Sequence, residues 1–129
     1  MSAALRREPQ VWAFGFMGHS EMRIWYRVRD LDTARAFYTG KLGFTATDAD
    51  GWVELERGDM RIALTEGEPV PEGPVASVDV ENVKAEADRL RTEQVEIGTV
   101  VELHNEVRIV DVYDPDGNRL QLVEELRAD

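Results

Sequence analysis

The stretch Tyr113-Asp114-Pro115-Asp116-Gly117-Asn118, continued by Arg119-Leu120-Gln121-Leu122-Val123-Glu124, holds the clearest turn in the chain. Pro115 presets the backbone for the second turn position, aspartate side chains bond nearby amides, and Gly117 accepts a positive φ. Before the turn lies an apolar run, Val107 to Tyr113. After it Leu120 to Val123 alternates, so the segment reads as a β-hairpin.

Working outward, Val75 to Val80 reads as a strand and Asn82 as a helix cap. Val83, Ala87 and Leu90 mark the apolar face of a helix from Val83 to about Thr92, and Ile97 to Leu103 reads as the next strand. Residues 66–74, with Pro69, Pro71 and Pro74, form a linker. Before the linker the same order occurs once already. Met22 to Val28 predicts a strand, and Asp30 caps a helix marked by Leu31, Ala34, Phe37, Tyr38 and Leu42, which Gly43 stops. Three strands follow, Phe44 to Thr47, Trp52 to Glu56 and Met60 to Thr65, with turns at Asp50-Gly51 and Gly58-Asp59. The chain is thus predicted to be α+β, with βαβββ repeated at a period of about fifty residues. Its units are 22–65 and 75–126 within one domain, 22–126. Residues 1–21 form an extension. There Trp12, Phe14 and Phe16, spaced by two, suit a short strand with one aromatic face, and Met17 and Met22 admit a later start.

The 129 residues suffice for one domain with its own core. No cysteine is present, which excludes disulfides, thiolate metal sites and a cysteine nucleophile. Twenty-six acids against 15 bases give a net charge of -11, against a nucleic-acid partner, whose phosphates need a basic face. No apolar run approaches bilayer length and no stretch has the parts of a signal peptide, so no membrane partner is expected and the expected location is cytoplasmic. A phosphate loop, a dinucleotide fingerprint and a serine nucleophile elbow are all missing.

Two segments carry a family resemblance. Val28-Arg29-Asp30-Leu31-Asp32-Thr33-Ala34-Arg35-Ala36-Phe37-Tyr38, running on to Lys41-Leu42-Gly43-Phe44, resembles the strand-to-helix signature of the vicinal oxygen chelate superfamily. Asp114-Pro115-Asp116-Gly117-Asn118 resembles that superfamily's last hairpin. Its members include glyoxalase I, extradiol dioxygenases, epimerases, fosfomycin-resistance transferases and bleomycin-resistance proteins. The resemblance implies two βαβββ units forming a curved mixed-sheet cup with helices outside, a homodimer, and ligands held in the cups.

The resemblance also implies where a metal would sit in metal-dependent members. The four ligand positions hold Arg23, Ala63, Val75 and Gln121 here. A divalent metal needs anionic or imidazole donors, and a guanidinium repels it, so no metal and no cofactor is expected. His19 and His104 fall on none of these positions.

Strand parity gives the cup lining. Arg23, Trp25 and Arg27 alternate with Ile24, Tyr26 and Val28, and Arg61, Ala63 and Thr65 with Ile62 and Leu64. Ile109, Asp111 and Tyr113 alternate with Val110 and Val112, and Arg119, Gln121 and Val123 with Leu120 and Leu122. The predicted ligand-binding residues are Arg23, Trp25, Arg27, Arg61, Asp111, Tyr113, Arg119 and Gln121. Guanidinium groups hold carboxylates or phosphates, and Trp25 and Tyr113 offer stacking faces. Arg27 resembles an arginine that glyoxalase I uses for glutathione. The same residues also have a structural reading: Asp111 paired with Arg23 or Arg27 across the cup, the tryptophans packed in a core or dimer contact, and Glu54 and Glu56 on a solvated face.

The expected function is binding or sequestration of a small organic molecule, with no catalytic residue assigned. The alternative is a metal-dependent lyase, isomerase or dioxygenase with displaced ligands such as Glu54, Asp111 or His104. A third reading is a module whose cup is filled by its own side chains, Trp25 among them.

Overall fold

The computed structural model describes residues 23–126, and the proposed aromatic strand of the extension and His19 lie outside them. The first half contains β1 (Ile24–Val28), α1 (Leu31–Gly40), β2 (Thr45–Ala49), β3 (Trp52–Arg57) and β4 (Met60–Glu66). The second contains β5 (Ala76–Asp79), α2 (Val83–Thr92), β6 (Val101–Leu103), β7 (Val107–Tyr113) and β8 (Arg119–Glu125). The class is α+β and the order βαβββ occurs twice. The strands form two four-stranded mixed sheets, β1-β4-β3-β2 and β5-β8-β7-β6. In each, the first strand runs parallel to the last and the remaining pairs are antiparallel. A parallel pair needs a long crossover, and the helix with the intervening strands supplies it.

Both helices start on the residues that the sequence nominates. The Asp30 carboxylate accepts from Thr33 N at 3.0 Å and the Asn82 amide oxygen from Ala85 N at 2.9 Å. Helix α1 ends at Gly40, before the predicted stop. The chain then turns through Gly43 at φ 73°, and Phe44 N donates back to the Tyr38 carbonyl at 3.0 Å, which closes the helix end.

One predicted strand is broken. Ile97 to Leu103 is not continuous: Ile97 makes an isolated bridge to Val112, and regular pairing resumes only at Val101↔Ile109. The pairing slips by one residue in between, as at a β-bulge. Gly98 marks the break; its N–H donates to the Asp111 carbonyl at 2.9 Å. Glycine in a strand weakens regular pairing, so the apolar alternation there overstated the strand.

One face of each sheet is buried. Tyr26, Val28, Leu55, Ile62 and Leu64 join Val78, Val110, Val112, Leu120 and Leu122 in a single core with Tyr38 of α1 and Leu90 of α2. Polar contacts tie the halves together. The Tyr26 hydroxyl donates to the Arg119 carbonyl and accepts from Ala76 N, and the Arg89 guanidinium donates to the Lys41 carbonyl at 2.8 Å. Among the described residues no helix is long and apolar enough to cross a membrane.

Candidate functional site

The face of the first sheet opposite the core is built in cross-strand rows. Trp25 pairs with Ala63, which pairs with Glu54; Arg27 pairs with Thr65, which pairs with Trp52. Side chains alternate across a strand, so Arg23, Trp25 and Arg27 of this segment share a face with Arg61, Ala63 and Thr65 of β4 and with Trp52, Glu54 and Glu56 of β3. Glu54 organises this face. Its Oε2 accepts from Arg23 at 3.0 Å and from Arg61 at 3.4 Å, and Glu56 lies 3.7 Å from Arg61. The Arg23 guanidinium also stands 5.6 Å from the Trp52 ring centroid, within cation–π range. Trp25 and Trp52 meet at 5.4 Å with their planes tilted by 43°. Trp25 remains 49% exposed, so it belongs to no packed core and does not fill a collapsed cup.

The corresponding face of the second sheet carries Tyr113 opposite Arg119, then Asp111 opposite Gln121, then Ile109 opposite Val123. Asp111 binds Arg119 at 3.3 Å. The pairing of Asp111 with Arg23 or Arg27 across a cup is therefore replaced by pairs within each sheet. The reason is register: Tyr113↔Arg119 and Asp111↔Gln121 put Arg119 and Asp111 on neighbouring rows of one face. Val101 and Leu103 at the sheet's edge stay exposed.

A cleft of about 730 Å³ opens beside the closing turn. Pro69 to Pro74 form one side, and Tyr113, Asn118 and Arg119 the other, with Arg29 at its rim. Arg29 is held by Asp116 at 3.2 Å and Glu68 at 3.6 Å. Of the predicted binding residues only Tyr113 and Arg119 line this cleft.

The turn itself is anchored from within. The Asp114 carboxylate, 4% exposed, accepts from the N–H groups of Asp116 and Asn118, from Asn118 Nδ2, and from the Tyr38 hydroxyl at 2.7 Å. Asn118 Nδ2 also donates to the Arg27 carbonyl at 3.0 Å. Burial, then the Asp114 carboxylate, pushes the Tyr38 hydroxyl well above its ordinary pKa. Burial pushes Tyr26 up to about 12, with the Ala76 amide opposing. Tyr26 and Tyr38 therefore keep their protons near neutrality.

The four positions that the resemblance assigns to metal ligands carry one carbonyl oxygen and no carboxylate or imidazole. Arg23 donates to Glu54, Ala63 is fully buried without a donor, Val75 has none, and Gln121 alone offers a carbonyl oxygen. Among the described residues no group of three or more His, Asp or Glu converges. The displaced candidates are engaged elsewhere: Glu54 by two guanidiniums, Asp111 by Arg119. His104 sits in the turn after β6 at φ 55°.

Sequence reasoning missed Trp52 and Glu54 as partners of Arg23 and Arg61. The signal was present: the Gly58-Asp59 turn fixes the β3–β4 register and with it the Glu54–Ala63 row. It missed the cleft because its walls, the linker and the closing turn, are remote in sequence.

Comparison with known proteins agrees with this architecture. Residues 18–122 match the model of the Glyoxalase/Bleomycin resistance protein/Dioxygenase superfamily, and the chain belongs to that superfamily. Among solved structures it is similar to lactoylglutathione lyase from Agrobacterium tumefaciens, with 18% identity and TM-score 0.67 over 83% of this chain and 94% of that one. It is similar to a bleomycin resistance determinant encoded on the transposon Tn5, with 20% identity and TM-score 0.65 over 83% and 98% of the two chains. Fosfomycin resistance protein FosX from Mesorhizobium loti gives 18% identity and TM-score 0.65 over 84% and 93%. At these identities the likeness is one of fold. Among curated protein sequences none matches.

Proposed function

We propose that this chain is a metal-independent binding domain, spanning residues 22–126, that sequesters a small organic molecule on its arginine- and tryptophan-bearing sheet faces. What supports the reading is that the positions the resemblance assigns to metal ligands hold Arg23, Ala63, Val75 and Gln121, and that Arg23 is bonded to Glu54. None of those four side chains carries a negative charge, whereas guanidinium and indole groups suit an organic guest. The similar structures include two named as resistance proteins and one named as a lyase, so the fold alone does not choose between binding and catalysis.

The protein acts as a cytoplasmic homodimer in this reading. Small-molecule sites bury most of their ligand, and a face on which Trp25 is half exposed needs a second wall. A second copy of the chain supplies it, with exposed Val101 and Leu103 as further contact surface.

The test joins metal analysis of protein purified without chelator to a thermal-shift screen of small organic ions and to light scattering. The expected result is a dimer without stoichiometric transition metal, stabilised by a subset of organic compounds. Stoichiometric zinc, iron, nickel or manganese overturns the reading, as does a screen in which no compound binds.

A further inference from the structure

We infer that the Trp25–Trp52 corner, with Arg27 beside it, takes an aromatic ring carrying one negative charge, an aryl carboxylate being the simplest member. The inference rests on the binding reading above and assigns that site its ligand class. Each other arginine among the described residues has a carboxylate within salt-bridge distance. Arg27 alone has none among them, in a chain where acids outnumber bases by 26 to 15. It is exposed, and its stem lies along Gly67, whose Cβ, if present, would stand 3.4 Å from Arg27 Cδ.

The neighbours of Arg27 decide what would use that charge. Trp25, two residues earlier on the same face, stands about 6.5 Å away along the strand. Its ring is half exposed, while Arg23 stands over the Trp52 ring. Thr65 occupies the row between Arg27 and Trp52, and its hydroxyl bonds no described residue. One open indole face, one unpaired guanidinium and one free hydroxyl, within the span of a small aryl acid, match a ring, a carboxylate and its second oxygen.

The electrostatics select against a cation. Glu54, the acid in the Trp25–Ala63 row, already accepts from two guanidiniums. Among the described residues Arg23, Arg27 and Arg61 outnumber Glu54 and Glu56 on this face, so a positive spot stands on a strongly acidic protein. A single unpaired cation matches a monoanion.

The test titrates the full-length protein with 1-naphthoate, 1-naphthylmethanol and 1-naphthylmethylammonium by calorimetry or ligand-observed NMR. The expected order puts naphthoate at least about tenfold tighter than the ammonium compound. Arg27→Gln is expected to weaken naphthoate about tenfold and leave the alcohol unchanged; Arg27→Lys restores part of the loss. Trp25→Ala weakens all three. Arg27 is exposed, so a melting curve for each variant confirms that the fold is kept. Equal affinity for the three probes, or naphthoate binding insensitive to Arg27→Gln, overturns the inference while leaving the broader binding reading in place. Failure of all three probes also overturns it; the broader reading falls only if the thermal-shift screen is empty as well.

Discussion

The hydroxyl of Tyr38 donates to the buried carboxylate of Asp114 at 2.7 Å, joining helix α1 to the closing turn across 76 residues of sequence. The two motifs that mark the family are thus one hydrogen-bonded cluster. Asn118 completes it by binding both Asp114 and the Arg27 carbonyl. Tyr38→Phe removes one donor from a carboxylate that is almost wholly buried. The expected loss is about 1–3 kcal/mol, read as a lower urea midpoint at unchanged slope.

Alkaline pH acts on the same cluster. Both tyrosines have folded pKa values above the ordinary value of 10.0, Tyr26 at about 12 and Tyr38 well above the ordinary value. A raised folded pKa means that the native state holds the proton more tightly. The stabilisation is complete below about pH 10 and is lost as pH rises through the folded values, at roughly 1.4 kcal/mol per unit for each tyrosine. Tyrosinate absorbance is expected to appear for these two residues together with loss of near-ultraviolet circular dichroism. Titration of all described tyrosines at the ordinary value in the folded protein would contradict the burial argument.

Glu54→Gln leaves Arg23 and Arg61 facing each other without their shared carboxylate. All three side chains retain about a quarter of their exposure, so solvent screens the change. The expected destabilisation is about 1 kcal/mol, shrinking at high salt because the remaining repulsion is screened. Denaturation at low and high sodium chloride measures both quantities.

Two glycines give opposite expectations. Gly117 has φ 86°, so Gly117→Ala forces alanine into a left-handed conformation and costs about 1 kcal/mol. Gly40 closes α1, its Cβ would meet nothing within 4 Å, and its φ lies outside the left-handed region. Gly40→Ala is expected to stabilise by about 0.5–1 kcal/mol through helix propensity and a less flexible unfolded chain. Melting temperatures that move in the same direction for both would show that backbone freedom does not govern these sites.

Most of the fold could be read along the chain because its signals are local. Asp30 and Asn82 cap the helices that follow them, since a carboxylate or amide reaches only the next turn's N–H groups. Alternation placed Tyr26, Val28, Ile62 and Leu64 on the buried face and Arg23, Trp25 and Arg61 on the other. The exceptions are places where a local pattern met a non-local constraint. At Gly98 the alternating apolar residues suggested a strand, but pairing with β7 slips by one residue. Gly43 was nominated as the helix stop, yet the closing turn begins after Gly40 because Phe44 N reaches back to Tyr38.

The sequence by itself determined the doubled βαβββ order, the helix starts and the side-chain types offered at the four family positions, because caps, turns and strand parity depend on neighbours a few residues apart. Only the tertiary structure decided who pairs with whom. Glu54 rather than Asp111 neutralises Arg23, Asp111 takes Arg119, and Arg27 keeps its charge without a partner among the described residues. Coulomb attraction falls with distance in space and is indifferent to distance in sequence, so strand register had to be known before the charges could be assigned.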